Sequence, residues 1–155
     1  MAVAPLYPPA DYRDKLMRIL AVDHGQKNLG LALSDETGSL ARPMGILAHV
    51  SKLVDAAQVA ERAAALGVGR IIVGVSYDEA GDPNPAGRRA MNFAEILRQQ
   101  TDLPVELWDE SLTTQDARAA RLAGGAPRKK RAGHLDDVAA AVLLQDYLDN
   151  HDFSR

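Results

Sequence analysis

The sequence predicts one α/β domain: a mixed five-stranded sheet, three antiparallel strands followed by parallel strands, with helices on both faces. Three observations carry this. The first apolar runs have strand length and are separated by short polar turns, the mark of antiparallel hairpins. The later runs alternate with helical segments, the crossover arrangement that builds parallel strands. The chain has 155 residues, enough for a single continuous core.

Met17 to Asp23 (MRILAVD) reads as a buried strand ending on an acid. His24 to Asn28 is a polar turn around Gly25, and Leu29 to Ser34 is the second strand. Leu40 to Val50 forms a third, interrupted by Pro43 and Gly45. Ser51 to Leu66 is helical, with Ser51 as cap and Leu53, Val54, Ala57, Ala60, Ala64 and Ala65 at helical spacing. Gly67 closes it. Arg70 to Val75 (RIIVGV) is a buried strand, and Ser76 to Gly87 a Gly/Pro/Asn/Asp-rich loop. Arg88 to Gln100 is a helix with Phe93, Ile96 and Leu97 inward. Leu103 to Trp108 is a strand running into Asp109 and Glu110. Thr113 to Leu122 is a short helix, Gly124 to Gly133 a basic loop, and His134 to Asn150 a final, largely apolar helix. Residues 1–16 read as a flexible N-terminal extension, 17–150 as the domain and 151–155 as a tail.

Composition excludes several classes. Cysteine is absent, so there is no disulfide framework and no thiolate metal site. No apolar run approaches the length of a membrane span, and the first fifteen residues lack a signal-peptide core. The expected location is the cytoplasm. A formal net charge of -3 argues against a protein that coats nucleic acid by bulk charge. It does not argue against an enzyme whose carboxylates hold divalent metals.

Three acidic positions begin or end elements instead of decorating solvent faces: Asp23 closes the first strand, Glu110 follows the last, and Asp136 or Asp137 starts the final helix. Sites in open α/β sheets gather at the carboxyl ends of strands. Carboxylates brought together there repel one another, so one takes a proton or the group binds cations. Hard oxygen donors suit Mg²⁺ or Mn²⁺, and two such ions can activate water and stabilise the leaving oxygen in phosphodiester hydrolysis. Each acid also has a plain reading. Asp23 can begin a turn, Glu110 can be a surface acid, and an acid at a helix start favours the macrodipole.

Four segments together resemble one family. AVDHGQKNLGLALSD is similar to its opening D-x-G-x-[KR]-x-x-G motif. RIIVGV with its following loop is similar to its central strand. LPVELWDESLTTQDARA resembles its D-E-R-[LF]-[ST]-T segment, and HLDDVAAAVLLQDYLD its final helix. The family is YqgF/RuvX, the Holliday-junction-resolvase-like proteins also assigned to the maturation of pre-16S ribosomal RNA. The resemblance covers about residues 17 to 150. It implies a ribonuclease H-like fold, a two-metal nuclease, and a triad of Asp23, Glu110 and Asp136 as catalytic residues and metal ligands for Mg²⁺ or Mn²⁺. Alignment to the family's final motif selects Asp136 over Asp137. Nucleic acid is then the partner, RNA ahead of DNA, together with ribosome-assembly factors. Departures stand beside the match: Ser111 replaces the usual Arg, Ser76 the usual Pro, and Gln26 and Asn28 flank Lys27.

Gly25 and Gly30 would let backbone approach phosphate while Lys27 touches it, although Gly25 also suits a plain hairpin turn. Arg128, Lys129, Lys130 and Arg131 lie just before Asp136, where a basic run would hold the nucleic-acid backbone. Trp108 is expected in the core. Two other functions compete with a nuclease. The D-x-G segment also resembles the phosphate loop of the actin, Hsp70 and sugar-kinase group, but those proteins close two such domains over a nucleotide and this chain has room for one. A non-catalytic binding module is the other, and it would be favoured if the three acids stood far apart.

Overall fold

The computed structural model describes residues 17–110 and 135–151, with the backbone alone at 135 and 136. The described elements are β1 (Arg18–His24), β2 (Asn28–Ser34), β3 (Ala41–Ala48), α1 (Lys52–Ala65), β4 (Val68–Val75), α2 (Pro85–Gln100), β5 (Val105–Asp109) and α3 (Leu135–Asn150). The sheet order is β3-β2-β1-β4-β5. β1 and β2 pair antiparallel, as do β2 and β3; β4 pairs parallel with both β1 and β5. The expected helix at 113–122 and the basic loop at 124–133 lie outside the described residues, as do 1–16 and 152–155.

Strand side chains alternate between faces, and that alternation builds two cores. Leu20, Val22, Leu29, Leu31, Ile71, Val73, Val75 and Val105 pack against Val59 of α1 and Phe93 and Leu97 of α2. Ile19, Ala21, Ala32 and Ile72 turn to the opposite face, where Ala140, Leu143, Leu144 and Tyr147 of α3 cover them. The three central strands are buried on both sides, which is why they read as nearly continuous apolar runs.

Four local expectations shift. His24 pairs with Leu29 and therefore ends β1 instead of opening the turn. β3 runs unbroken through Pro43 and Gly45, because β3 is an edge strand, where a missing N–H costs nothing. A bulge there sets Gly45 against Leu31 and Pro43 against Ala32, and Gly45 takes a φ of 104°, which glycine alone adopts readily. α2 begins at Pro85, not Arg88. Asn84 caps it, accepting from Gly87 N at 2.8 Å, and Pro occupies the first turn, where its lost N–H is harmless.

The inward face of α1 is the fourth correction. Ser51 caps the helix as expected, but Asp55, Ala56, Val59 and Ala63 are the buried positions, while Leu53 and Val54 are exposed. A buried acid sets the rotation. Asp55 is fully buried; its carboxylate accepts from Val50 N at 3.0 Å and meets His49 Nδ1 at 2.5 Å.

Candidate active site

β1 sends Leu20 and Val22 toward α1 and α2, so alternation turns Asp23 to the α3 face. β5 sends Leu107 toward α2 and Trp108 toward α3. Glu110 N–H donates to Val75 O at 3.0 Å, which carries the ladder past Asp109 and gives Glu110 the parity of Trp108. Asp109 has the opposite parity and is exposed. The two faces thus separate the neighbouring acids.

β4 lies between β1 and β5, so the two acids start about 9.6 Å apart by strand spacing. Gly74 removes the obstacle. A Cβ placed there would lie 2.2 Å from Glu110 Oε1 and 3.0 Å from its Cδ. The Glu110 side chain therefore lies flat over the bare backbone of β4, and its carboxyl hydrogen-bonds with the Asp23 carboxyl. Burial pushes Glu110 up from 4.5 to about 8, helped by the Asp23 charge, the hydrogen bond with Asp23 and the charge of Asp109. Two carboxylates so close share a proton in the absence of a cation.

α3 runs toward these acids with its N-terminus. Near its other end, Gln145 accepts from Ala41 N at 2.9 Å and Tyr147 OH accepts from Arg70 Nη1 at 2.7 Å, both at the strand ends remote from Asp23 and Glu110. Leu143 Cδ2 would lie 2.8 Å from a Cβ on Gly74. On an ideal helix Asp136, two turns before Leu143, falls about 20° from its direction, whereas Asp137 falls about 120° away. Position 137 stands four and seven residues before Ala141 and Leu144, which are buried in the same core, so helical phase puts both positions along the side of α3 that covers the sheet. Among the described residues no group of three or more His, Cys, Asp or Glu side chains is placed to hold a metal ion; Asp23 and Glu110 are a close pair of carboxyls.

Lys27 is exposed in the β1–β2 turn. Gly25 closes that turn: its N–H donates to Asn28 O at 3.0 Å, and a Cβ would approach the same oxygen to 2.6 Å. Gly30 is not in the turn. It lies inside β2, buried, directly opposite Asp23, and adds no side chain beside it. Arg128, Lys129, Lys130 and Arg131, with Ser111, lie outside the described residues. Trp108 is packed, its ring 4.9 Å from Tyr147 and its Nε1 donating to Asp146 at 3.0 Å. Ser76 Oγ donates to Asn84 Oδ1 at 2.8 Å, tying the end of β4 to the α2 cap.

Gly74 and Asp55 went unrecognised in the sequence. A glycine inside an apolar strand signals close approach, and that was the available clue for Gly74. Asp55 carried no comparable signal, since a first-turn acid usually serves the helix dipole.

The RuvX family model, described as Holliday junction resolvase, matches residues 17–150. A Geobacillus kaustophilus relative is 40% identical over 136 residues, spanning 86% of this chain and 99% of its own. An Anaeromyxobacter relative is 37% identical over 133 residues, spanning 86% and 97%. Both carry the name "Putative pre-16S rRNA nuclease". Among solved structures, Thermus thermophilus RuvC in complex with a Holliday junction substrate superposes with a TM-score of 0.54 at 15% identity, over 88% of this chain and 97% of that one. The fowlpox virus resolvase bound to junction DNA gives 0.51 at 17% identity, over 86% and 97%. At such identities the likeness is one of fold, the ribonuclease H-like sheet. With the family model spanning every described element, the chain belongs to the RuvX family.

Proposed function

We propose that this protein is a metal-dependent nuclease that hydrolyses phosphodiester bonds, acting in the cytoplasm on the 5′ end of precursor 16S ribosomal RNA. The observation that carries the reading is the Asp23–Glu110 pair: two carboxyls from non-adjacent strands, brought together over a glycine, where burial and the Asp23 charge favour the protonated form of Glu110. A protein gains no stability from forcing two acids together. The donor set fits a hard divalent cation, Mg²⁺ or Mn²⁺. Asp23, Glu110 and Asp136 would hold it. Bound there, such ions lower the pKa of water and stabilise an oxyanion, in the two-metal manner.

The chain's own residues do the rest. Asp23 and Glu110 would hold the cation from the sheet, with the Glu110 proton released to solvent, and Asp136 would complete the set from the helix. Lys27, with Gly25 in its tight turn, meets substrate phosphate, and Arg128, Lys129, Lys130 and Arg131 hold the flanking backbone. The relatives' name supports ribosomal RNA as substrate, and ribosome-assembly factors would then stand near the protein. The description of the family model favours a second substrate, branched DNA. Contact between Asp23 and Glu110 runs against a non-catalytic module.

The test is cleavage by purified protein with Mg²⁺ or Mn²⁺ on a 5′-extended ribosomal RNA fragment, single-stranded DNA and a four-way DNA junction. Asp23→Asn, Glu110→Gln and Asp136→Asn are expected to abolish cutting while the fold persists. Preferred cutting of the junction would move the protein to recombination. Full activity in any one variant would remove that residue from the mechanism.

A further inference from the structure

Beyond the carboxylate pair, cations from separate elements stand at the carboxyl end of β1. Lys27 is exposed in the β1–β2 turn, and its carbonyl accepts from His49 N at 2.8 Å, which joins that turn to the end of β3. Lys52 opens α1 one residue after the Ser51 cap. Its frame is rigid, because buried Asp55 grips both Val50 N and His49 Nδ1. Arg89 is half-buried and stands one turn before Phe93 on α2. The Phe93 ring lies 4.8 Å from the His24 ring, so Arg89 sits one turn nearer the strand ends, above His24.

None of Lys27, Lys52 and Arg89 makes an ion pair or a side-chain hydrogen bond among the described residues. Other cations are engaged: Arg18 with Glu36, Arg70 with Glu106, Arg98 with Glu95, and Arg88 with Pro83 O. Arg42 and Arg62 are also unpaired among the described residues, but they stand at the far end of the sheet, at the start of β3 and the end of α1. In a chain of net charge -3, and beside the buried Asp55, these three cations at one strand end have no ion-pair partner among the described residues and are available to phosphate.

We propose that Lys27, Lys52 and Arg89 form a phosphate track that holds the backbone of one nucleic-acid strand as it crosses the end of β1 toward the Asp23–Glu110 pair. The proposal rests on the nuclease reading and adds which side of the carboxylates the strand occupies. The ligand chemistry is the phosphodiester backbone, shared by RNA and DNA.

The test measures binding of 5′-labelled single-stranded RNA and DNA of one sequence by fluorescence anisotropy in EDTA, so cleavage does not enter. The double variant Lys52→Ala/Arg89→Ala is compared with Arg42→Ala/Arg62→Ala, which removes equal charge elsewhere. Lys52→Gln/Arg89→Gln guards against loss of the aliphatic stems. The track predicts a roughly ten- to thirty-fold weaker Kd at about 0.1 M salt, and a salt slope shallower by about 1.4, from two phosphate contacts on a single strand. RNA and DNA should suffer alike. Equal binding and equal slopes in the two double variants would overturn the track, as would a loss confined to RNA. If wild-type protein cleaves and binds yet Lys52→Ala/Arg89→Ala changes nothing, the track alone falls. If wild-type protein neither binds nor cleaves, both readings fall.

Discussion

Replacing Gly74 with alanine is the sharpest perturbation of the site, because it touches no acid. The backbone of β4 at Gly74 has no positive φ, so alanine adds no conformational strain, and the whole effect lies in the added methyl. That methyl would stand 2.2 Å from Glu110 Oε1 and 2.8 Å from Leu143 Cδ2. Leu143 is buried among the α3 core side chains and the nearer clash is with Glu110, so the Glu110 carboxyl is expected to swing off the sheet and away from Asp23. Overpacking of this kind costs about 1–3 kcal/mol, offset by roughly 0.5–1 kcal/mol from the smaller chain entropy of alanine in a strand. Net stability should therefore fall by about 0–2.5 kcal/mol, leaving a folded protein. Activity should fall much further, by about 10- to 100-fold, with a weaker response to Mg²⁺, as when a residue that orients a metal ligand is lost. The assay is cleavage across a Mg²⁺ titration, with urea melts of the same samples. Gly69→Ala is the control: the three atoms nearest its Cβ all belong to the Met17 side chain, at the strand end away from the acids, so cleavage should persist. Wild-type cleavage and Mg²⁺ dependence in Gly74→Ala would refute the placement of Glu110 over β4.

Three further outcomes follow from the same structure. Glu110 is held protonated up to about 8 in the metal-free fold, against 4.5 when unperturbed, so its contribution to stability is complete below 4.5 and is lost as pH rises to about 8. Metal-free wild type should lose several kcal/mol across that window relative to Glu110→Gln, with Mg²⁺ restoring it at the alkaline end; parallel melting profiles for the two proteins would contradict this. Asp55→Ala removes the fully buried acceptor of Val50 N and the partner of His49. It should cost about 2–4 kcal/mol in urea unfolding, and a loss under about 1 kcal/mol would mean that the β3–α1 turn holds without it. Trp108→Phe loses the hydrogen bond to Asp146 and should cost about 1 kcal/mol while sparing cleavage; a collapse of cleavage with the fold intact would make Trp108 a substrate contact.

The order of strands and helices was open to reading because the hairpin turns, Gly67 and the apolar runs are local signals. The resemblance carried further, to Asp23, Glu110 and Asp136 as candidates. The inward face of α1 was not legible. The helix is rich in alanine, so its hydrophobic stripe is weakly marked, and Leu53 and Val54 point the wrong way while an acid goes in. Pro43 and Gly45 looked like interruptions because nothing local says that a strand will lie at an edge.

Local chemistry therefore decided where elements begin, which runs are apolar, and which acids stand at strand ends. Tertiary structure decided the pairing of β1 with β4 and β4 with β5, and with it the parity that brings Asp23 and Glu110 to one face and sends Asp109 to the other. It also decided that Gly74 is the gap through which Glu110 reaches Asp23, and that Asp55 is buried beneath the turn that precedes Lys52. The reason is distance along the chain. Alternation and capping act between near neighbours, but residues 23, 74 and 110 meet only once strand registers are set by packing of the whole sheet against its helices.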